Sequence, residues 1–205
     1  MANLVTFGSL LAAGCLITAC SSSPSGMSTP AASRTRATPQ SSSEAGSIVP
    51  TSKTFLSKAY GYTVTVPADF TPRQAYAKWD GESELDGDSA LVDLLGQPGE
   101  TKGMFVAAAP TKRDLAADTA FAITFNAHYH GDYCPNRPTR GRVTVGGQPG
   151  VLLAYNCGIL VNHVVTVYHG VEYWFVFVDR GVDAATDPTD HATFVKMLSS
   201  VRFRH

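Results

Sequence analysis

Beyond its first twenty residues the chain lacks any apolar run near the roughly 20 residues that a helix needs to cross a bilayer. The remainder is therefore expected to lie outside the lipid. It also lacks an excess of positive charge: 16 Lys and Arg stand against 17 Asp and Glu, for a formal net charge of −1, and the basic residues form no stripe. Nucleic-acid binding needs clustered cations that displace counterions, so no nucleic-acid partner is expected. Gly-x-Ser-x-Gly, His-Glu-x-x-His and Gly-Lys-Ser/Thr are all missing. Without a nucleophile motif, a zinc motif or a phosphate loop, the sequence reads as a non-enzyme with no cofactor. A hydrolase would have to assemble its site from distant residues, for which His163, His169 and His191 are available.

What is present at the start is an almost uncharged apolar run, Leu4 to Ala19, ending at Cys20 and followed by Ser21, Ser22 and Ser23. Such a run is a signal-peptide core, too short for a membrane span. Ile17-Thr18-Ala19-Cys20 matches a lipobox, with a branched apolar residue three before the cysteine and small residues between. One feature departs from the usual pattern, since no Lys or Arg precedes the apolar run. The expectation is export, removal of residues 1–19 and lipidation of Cys20, giving a cell-membrane lipoprotein on the extracytoplasmic face. Each buried methylene of an acyl chain contributes about 0.8 kcal/mol, so two or three chains hold the protein on the membrane without spanning it.

Four cysteines then sort themselves: Cys15 leaves with the leader, Cys20 takes the lipid, and Cys134 and Cys157 remain. An isolated pair in an oxidising envelope is expected to form a disulfide. Residues 21–51 are rich in Ser, Thr, Pro and Ala, with almost nothing large and apolar. That composition predicts a disordered tether over 20–51, spanning roughly 30 Å. From 52 to 205 the apolar content rises and turn signals recur, as in one globular domain.

Within that domain Tyr60 to Val66 alternates and stops at Pro67, a first strand; Ala90–Leu95 and Gly103–Ala109 give two more around Gly96-Gln97-Pro98-Gly99. Leu115, Ala116, Thr119, Ala120, Ile123 and Ala127 recur at helical spacing, predicting a helix from Asp114 to about His128. Arg142–Val145, Gly150–Cys157, Ile159–His169 and Val171–Arg180 are separated by short glycine turns, the pattern of antiparallel hairpins. In Val171–Arg180 both alternating sets are apolar, so this strand is expected to be covered on both faces. Asp187 and Pro188 are the expected N-cap and first turn of a final helix that buries Phe194, Val195, Leu198 and Val201. The expected class is α+β, an antiparallel β-meander sheet packed with two main helices.

Taken in order, Tyr60-Gly61-Tyr62-Thr63-Val64-Thr65-Val66-Pro67, the helix from Asp114, the turn Val145-Gly146-Gly147-Gln148-Pro149-Gly150, the meander and the closing Phe194 to Phe203 segment resemble the PsbP-like fold over most of residues 55–203. Lipobox, Ser/Thr/Pro tether and one such domain together resemble actinobacterial lipoproteins of the LpqN type. The resemblance implies a PsbP-like α/β sandwich serving as a binding or assembly module with an envelope protein partner. It transfers no catalytic set.

Three clusters invite a sharper chemistry. His128-Tyr129-His130-Gly131-Asp132-Tyr133-Cys134 offers imidazoles, a carboxylate and a thiol at alternate positions, a transition-metal set if the backbone is extended. The competing reading is a helix end and polar loop with Cys134 bonded to Cys157, and no metal is expected. Asp80, Glu82, Glu84, Asp86 and Asp88 alternate like calcium ligands, but Leu85 and Leu91 stand where an EF-hand needs glycine and the closing glutamate, leaving a solvated acidic loop. Residues such as Trp174, Phe175 or Phe177 would suit a carrier or sensor of a small apolar ligand if they lined a closed cavity between helix and sheet; otherwise they are core.

Overall fold

A computed structural model describes residues 51–86, 89–97, 102–132, 134, 137–179 and 188–204. The readings on the leader, on Cys20, on the tether as far as Pro50, on Asp88, on the Pro98-Gly99 turn and on the Asp187 cap lie outside these residues. The described residues all belong to one compact unit, Ser47–His205. Among them no helix is long and apolar enough to cross a membrane.

The elements run β1 (Ser52–Leu56), β2 (Tyr62–Pro67), β3 (Thr71–Arg73), β4 (Asp93–Gly96), β5 (Lys102–Pro110), α1 (Leu115–His130), β6 (Thr139–Val145), β7 (Gln148–Asn156), β8 (Leu160–Tyr168), β9 (Val171–Asp179), α2 (Pro188–Ser200) and β10 (Arg202–Phe203). They build a three-stranded sheet, β1-β2-β10, and a seven-stranded sheet, β3-β4-β5-β9-β8-β7-β6. Every neighbouring pair is antiparallel. The class is thus α+β, with two antiparallel sheets and two main helices.

β9 lies at the centre because its two faces are both apolar. Tyr173, Phe175 and Phe177 point to one side, and Trp174 and Val176 to the other; all five are buried. On the first side Tyr62 of β2 meets Phe175 edge-on at 5.9 Å, and Phe194 of α2 stacks on Phe177 at 5.2 Å. On the second side α1 and the loop before β4 close over Trp174, which touches Trp79 at 4.5 Å and Phe125 at 5.0 Å. Ala107 and Ala109 of β5 face this layer in register with Trp174 and Glu172, so their small side chains leave room for the indoles.

Several expectations are corrected in detail. β1 precedes the expected first strand; it has only one buried residue, Phe55, and an edge strand of that kind carries no alternating apolar signal. β3 and β10 are too short to show a period. α1 buries Asp118, Thr119, Ala122 and Phe125, with Ala116, Ala120 and Ala127 exposed, so its inner face is rotated from the alanine-based stripe. The reason is area: Phe121, Phe125 and Tyr129 cover far more apolar surface against the sheet than alanines do. Val195 is exposed and Met197 takes its place in the core, beside Phe194, Leu198 and Val201.

Thr51 already belongs to the domain, since its carbonyl accepts from Ala68 N–H at 3.3 Å. Shortening the chain by residues 21–46 is therefore expected to leave the melting temperature unchanged. A fall of more than roughly 3 °C, about 1 kcal/mol for a domain of this size, would show that the removed segment packs on it.

Candidate functional site

Two polar clusters lie under α1, one at each end. At the N-terminal end Asp114 caps the helix by accepting from Ala117 N–H at 2.8 Å, which aims the first turn at β9. Asp118 and Glu172 are both buried there, and Arg113 bridges them. Its Nε donates to Asp118 Oδ1, and its Nη2 donates to Glu172 Oε1 at 2.8 Å. Thr111 Oγ1 adds a bond to Asp118 Oδ1 at 3.1 Å, Trp174 Nε1 donates to Glu172 Oε2 at 3.1 Å, and the guanidinium lies 4.1 Å over the Phe121 ring. Asp118 Oδ2 has no donor among the described residues, and the Glu172 carboxyl is its neighbour.

Two carboxyls against one guanidinium leave an uncompensated negative charge in a dry place, which a proton neutralises at least cost. Burial is the main cause that pushes Glu172 up to about 7; the Asp118 charge adds to it, and Arg113 opposes it. The cluster is a proton holder. Through Arg113 it ties the start of α1 to the central strand.

At the C-terminal end Asn126 Nδ2 reaches His163 Nδ1 at 2.9 Å and Tyr155 Oη at 3.1 Å. An amide nitrogen only donates, so Nδ1 accepts and the ring proton sits on Nε2. That atom has no hydrogen-bond partner among the described residues; the ring meets Trp174 at 4.8 Å and 60°. Burial first, and then nearby His130, lowers the His163 pKa to about 3, so the imidazole is neutral throughout the physiological range.

The candidate residues from the sequence fall as follows. Cys134 and Cys157 are bonded, with Cα atoms 4.7 Å apart, and Cys134 N–H donates to His130 O at 2.8 Å directly after the helix. His128 and His130 belong to the last helical turn, where two residues apart means about 200° of rotation. The extended metal set does not form, and among the described residues no group of three or more His, Cys, Asp or Glu is placed to hold a metal ion. Asp80 is committed locally: its carboxylate accepts from Glu82 N–H, Ser83 N–H and Ser83 Oγ, which holds its pKa down at about 2. The acidic loop thereby turns Trp79 and Leu85 into the core. Trp174 is buried against Trp79 and Phe125 on one face of β9, and Phe175 and Phe177 are buried against Tyr62 and Phe194 on the other. His169 occupies the β8–β9 turn at φ 50°, His191 is exposed on α2, and neither joins His163.

Sequence reasoning missed Asp118, Glu172 and Arg113. The available signal was Glu172 itself, a charge inside the most apolar strand of the chain.

One further feature of the large sheet is its β6 end, beside which no strand lies among the described residues. β6 is the last strand in the order, and its pairing with β7 runs without a bulge from Thr139↔Ala154 to Val145↔Gln148. Gly146 and Gly147, at φ 57° and 86°, make the two-residue turn, whose flanking pair is hydrogen-bonded. Alternation then directs the N–H and C=O groups of Arg140, Arg142 and Thr144 away from β7. Pro149 fits this register, because it lies opposite Thr144, where β7 needs no N–H toward β6.

No protein-family model matches the chain, and no curated protein matches it. Among solved structures it is similar to cyanobacterial PsbP (CyanoP) from Synechocystis sp. PCC 6803, at 14% identity and a TM-score of 0.49, over 77% of this chain and 96% of that one. It is also similar to a protein of Bacteroides thetaiotaomicron at 13% identity and a TM-score of 0.45, over 76% of this chain and 50% of that one. This chain thus spans half the length of the second.

Proposed function

We propose that the chain is an exported lipoprotein of the LpqN type, anchored through Cys20 to the extracytoplasmic face of the cell membrane. Its PsbP-like domain acts there as a non-enzymatic binding or assembly module for another envelope protein. The observation that carries this reading is the sequence order of lipobox, Ser/Thr/Pro tether and one domain. It is supported by where the reactive side chains go: Asp118, Glu172, His163 and the cysteine pair are all engaged in holding α1 and its following loop to the sheet.

Cys20→Ala is expected to move the protein from the detergent phase to the aqueous phase in a phase-partition assay. Unchanged partitioning refutes the anchor. The module reading is tested by chemical crosslinking of the anchored full chain in intact cells. A discrete heteromeric adduct, lost with Cys20→Ala, supports it, and recovery of monomer alone overturns it.

A further inference from the structure

The geometry points to the free edge of β6 as a strand-addition site for an extended acidic segment of a partner protein. This deepens the binding-module reading and rests on it. The edges of a sheet are its unsatisfied hydrogen-bonding surfaces, and proteins blunt them by shortening the strand, by proline, by a bulge or by charged side chains. The opposite edge of the same sheet is blunted in this way, since β3 has three residues, one of them Pro72. β6 is guarded by charge alone, at Arg140 and Arg142: it runs seven residues, Thr139–Val145, in unbroken register and without proline. Among the described residues nothing bonds to its outer side.

The residues whose backbone groups point outward, Arg140, Arg142 and Thr144, are also exposed. Their side chains project to one face of the sheet, as alternate residues must. Neither guanidinium has an ion-pair partner among the described residues. A strand laid along this edge would bring its own alternate side chains within about 5 Å of the two arginines. Carboxylates at positions i and i+2 match them in sign and spacing.

The same charges disfavour a second copy of this chain. Antiparallel self-pairing of β6 over its full length sets Arg142 against Arg142 of the other copy, and like charges directly opposite destabilise a pair. The edge therefore selects against itself and for an acidic strand, which is strand addition with a charge filter.

The test uses the full-length chain in detergent and three capped eight-residue peptides: alternating valine and glutamate, alternating valine and lysine, and the glutamate peptide with alternate backbone nitrogens methylated. Amide hydrogen exchange of Arg140, Arg142 and Thr144 is expected to slow about tenfold or more with the glutamate peptide and to stay unchanged with the other two. The double variant R140E/R142E, altered only at exposed positions, is expected to exchange this preference for the lysine peptide. Equal protection by the lysine peptide overturns the charge filter, and equal protection by the methylated peptide overturns strand addition. No protection by any peptide overturns the site. The crosslinking experiment reads the module itself, so an adduct formed without edge protection would locate the partner elsewhere on the domain.

Discussion

Glu172→Gln is expected to remove the loss of stability toward alkaline pH and to leave a profile that rises through mild acid and then levels off, between about pH 5 and about pH 8. Glu172 is buried and its pKa is raised from 4.5 to about 7, so between those values the native state holds a proton that the unfolded state has released. Stability from this group is complete below about 4.5 and is lost as the pH rises through 7. At about 1.4 kcal/mol per unit, the loss is on the order of 3 kcal/mol. His163 works in the other direction. Its pKa falls from 6.5 to about 3, so stability from it is complete above 6.5 and is lost as the pH falls.

The two slopes oppose each other between 4.5 and 6.5, and only the Glu172 slope acts above 6.5. The native chain should therefore have a nearly level profile in mild acid and weaken toward alkaline pH. Glutamine keeps an acceptor for Trp174 Nε1 but does not titrate, so the variant should gain stability up to about pH 6.5 and then level off. Urea unfolding across this range measures both profiles. Identical profiles would mean that Glu172 does not hold the proton.

Replacing Cys134 and Cys157 by serine is expected to cost about 3 kcal/mol, or roughly 10 °C in melting temperature. The bond closes a separation of 23 residues that includes all of β6 and all of β7. Described loop residues such as Asp132 and Arg137 are exposed, so little apolar burial replaces the link. The β7–β8 and β8–β9 ladders do not depend on it, and the β-sheet signal in circular dichroism should persist below the transition. Faster proteolysis within residues 131–138 is the local readout. A melting temperature within about 2 °C of the native chain would show that the loop is held by other contacts.

How much of this was legible beforehand depends on the kind of signal. The meander β6–β9 was readable because each turn carries glycine and β7, β8 and β9 are each nine residues long, so period and punctuation agree; β6 was expected only over Arg142–Val145 and begins at Thr139. The two-sided burial of β9 was readable for the same reason. β1, β3 and β10 were not, since a strand of two to five residues with one face in solvent shows no period. The cysteine pair followed from counting. The Arg113–Asp118–Glu172 cluster did not, because its members are 5 and 54 positions apart along the chain and meet only once α1 lies on β9. Likewise, the place of β6 at the end of the large sheet depends on the strand order, which hairpin patterns do not determine.

The packing of Trp79 against Trp174 has a spectroscopic consequence. These are the chain's only two tryptophans, their rings are 4.5 Å apart, and both lie in the layer between α1 and the large sheet. Intrinsic emission thus reports a single locus and is silent about the side built from α2 and the small sheet. Far-ultraviolet circular dichroism, by contrast, averages over all the strands. If the domain unfolds in one step, the two signals should trace one denaturation curve. An emission change that comes earlier would mark release of α1 while Phe175, Phe177 and Phe194 are still packed on the other face, and the indole pair would then serve as a built-in gauge of how firmly that helix is held.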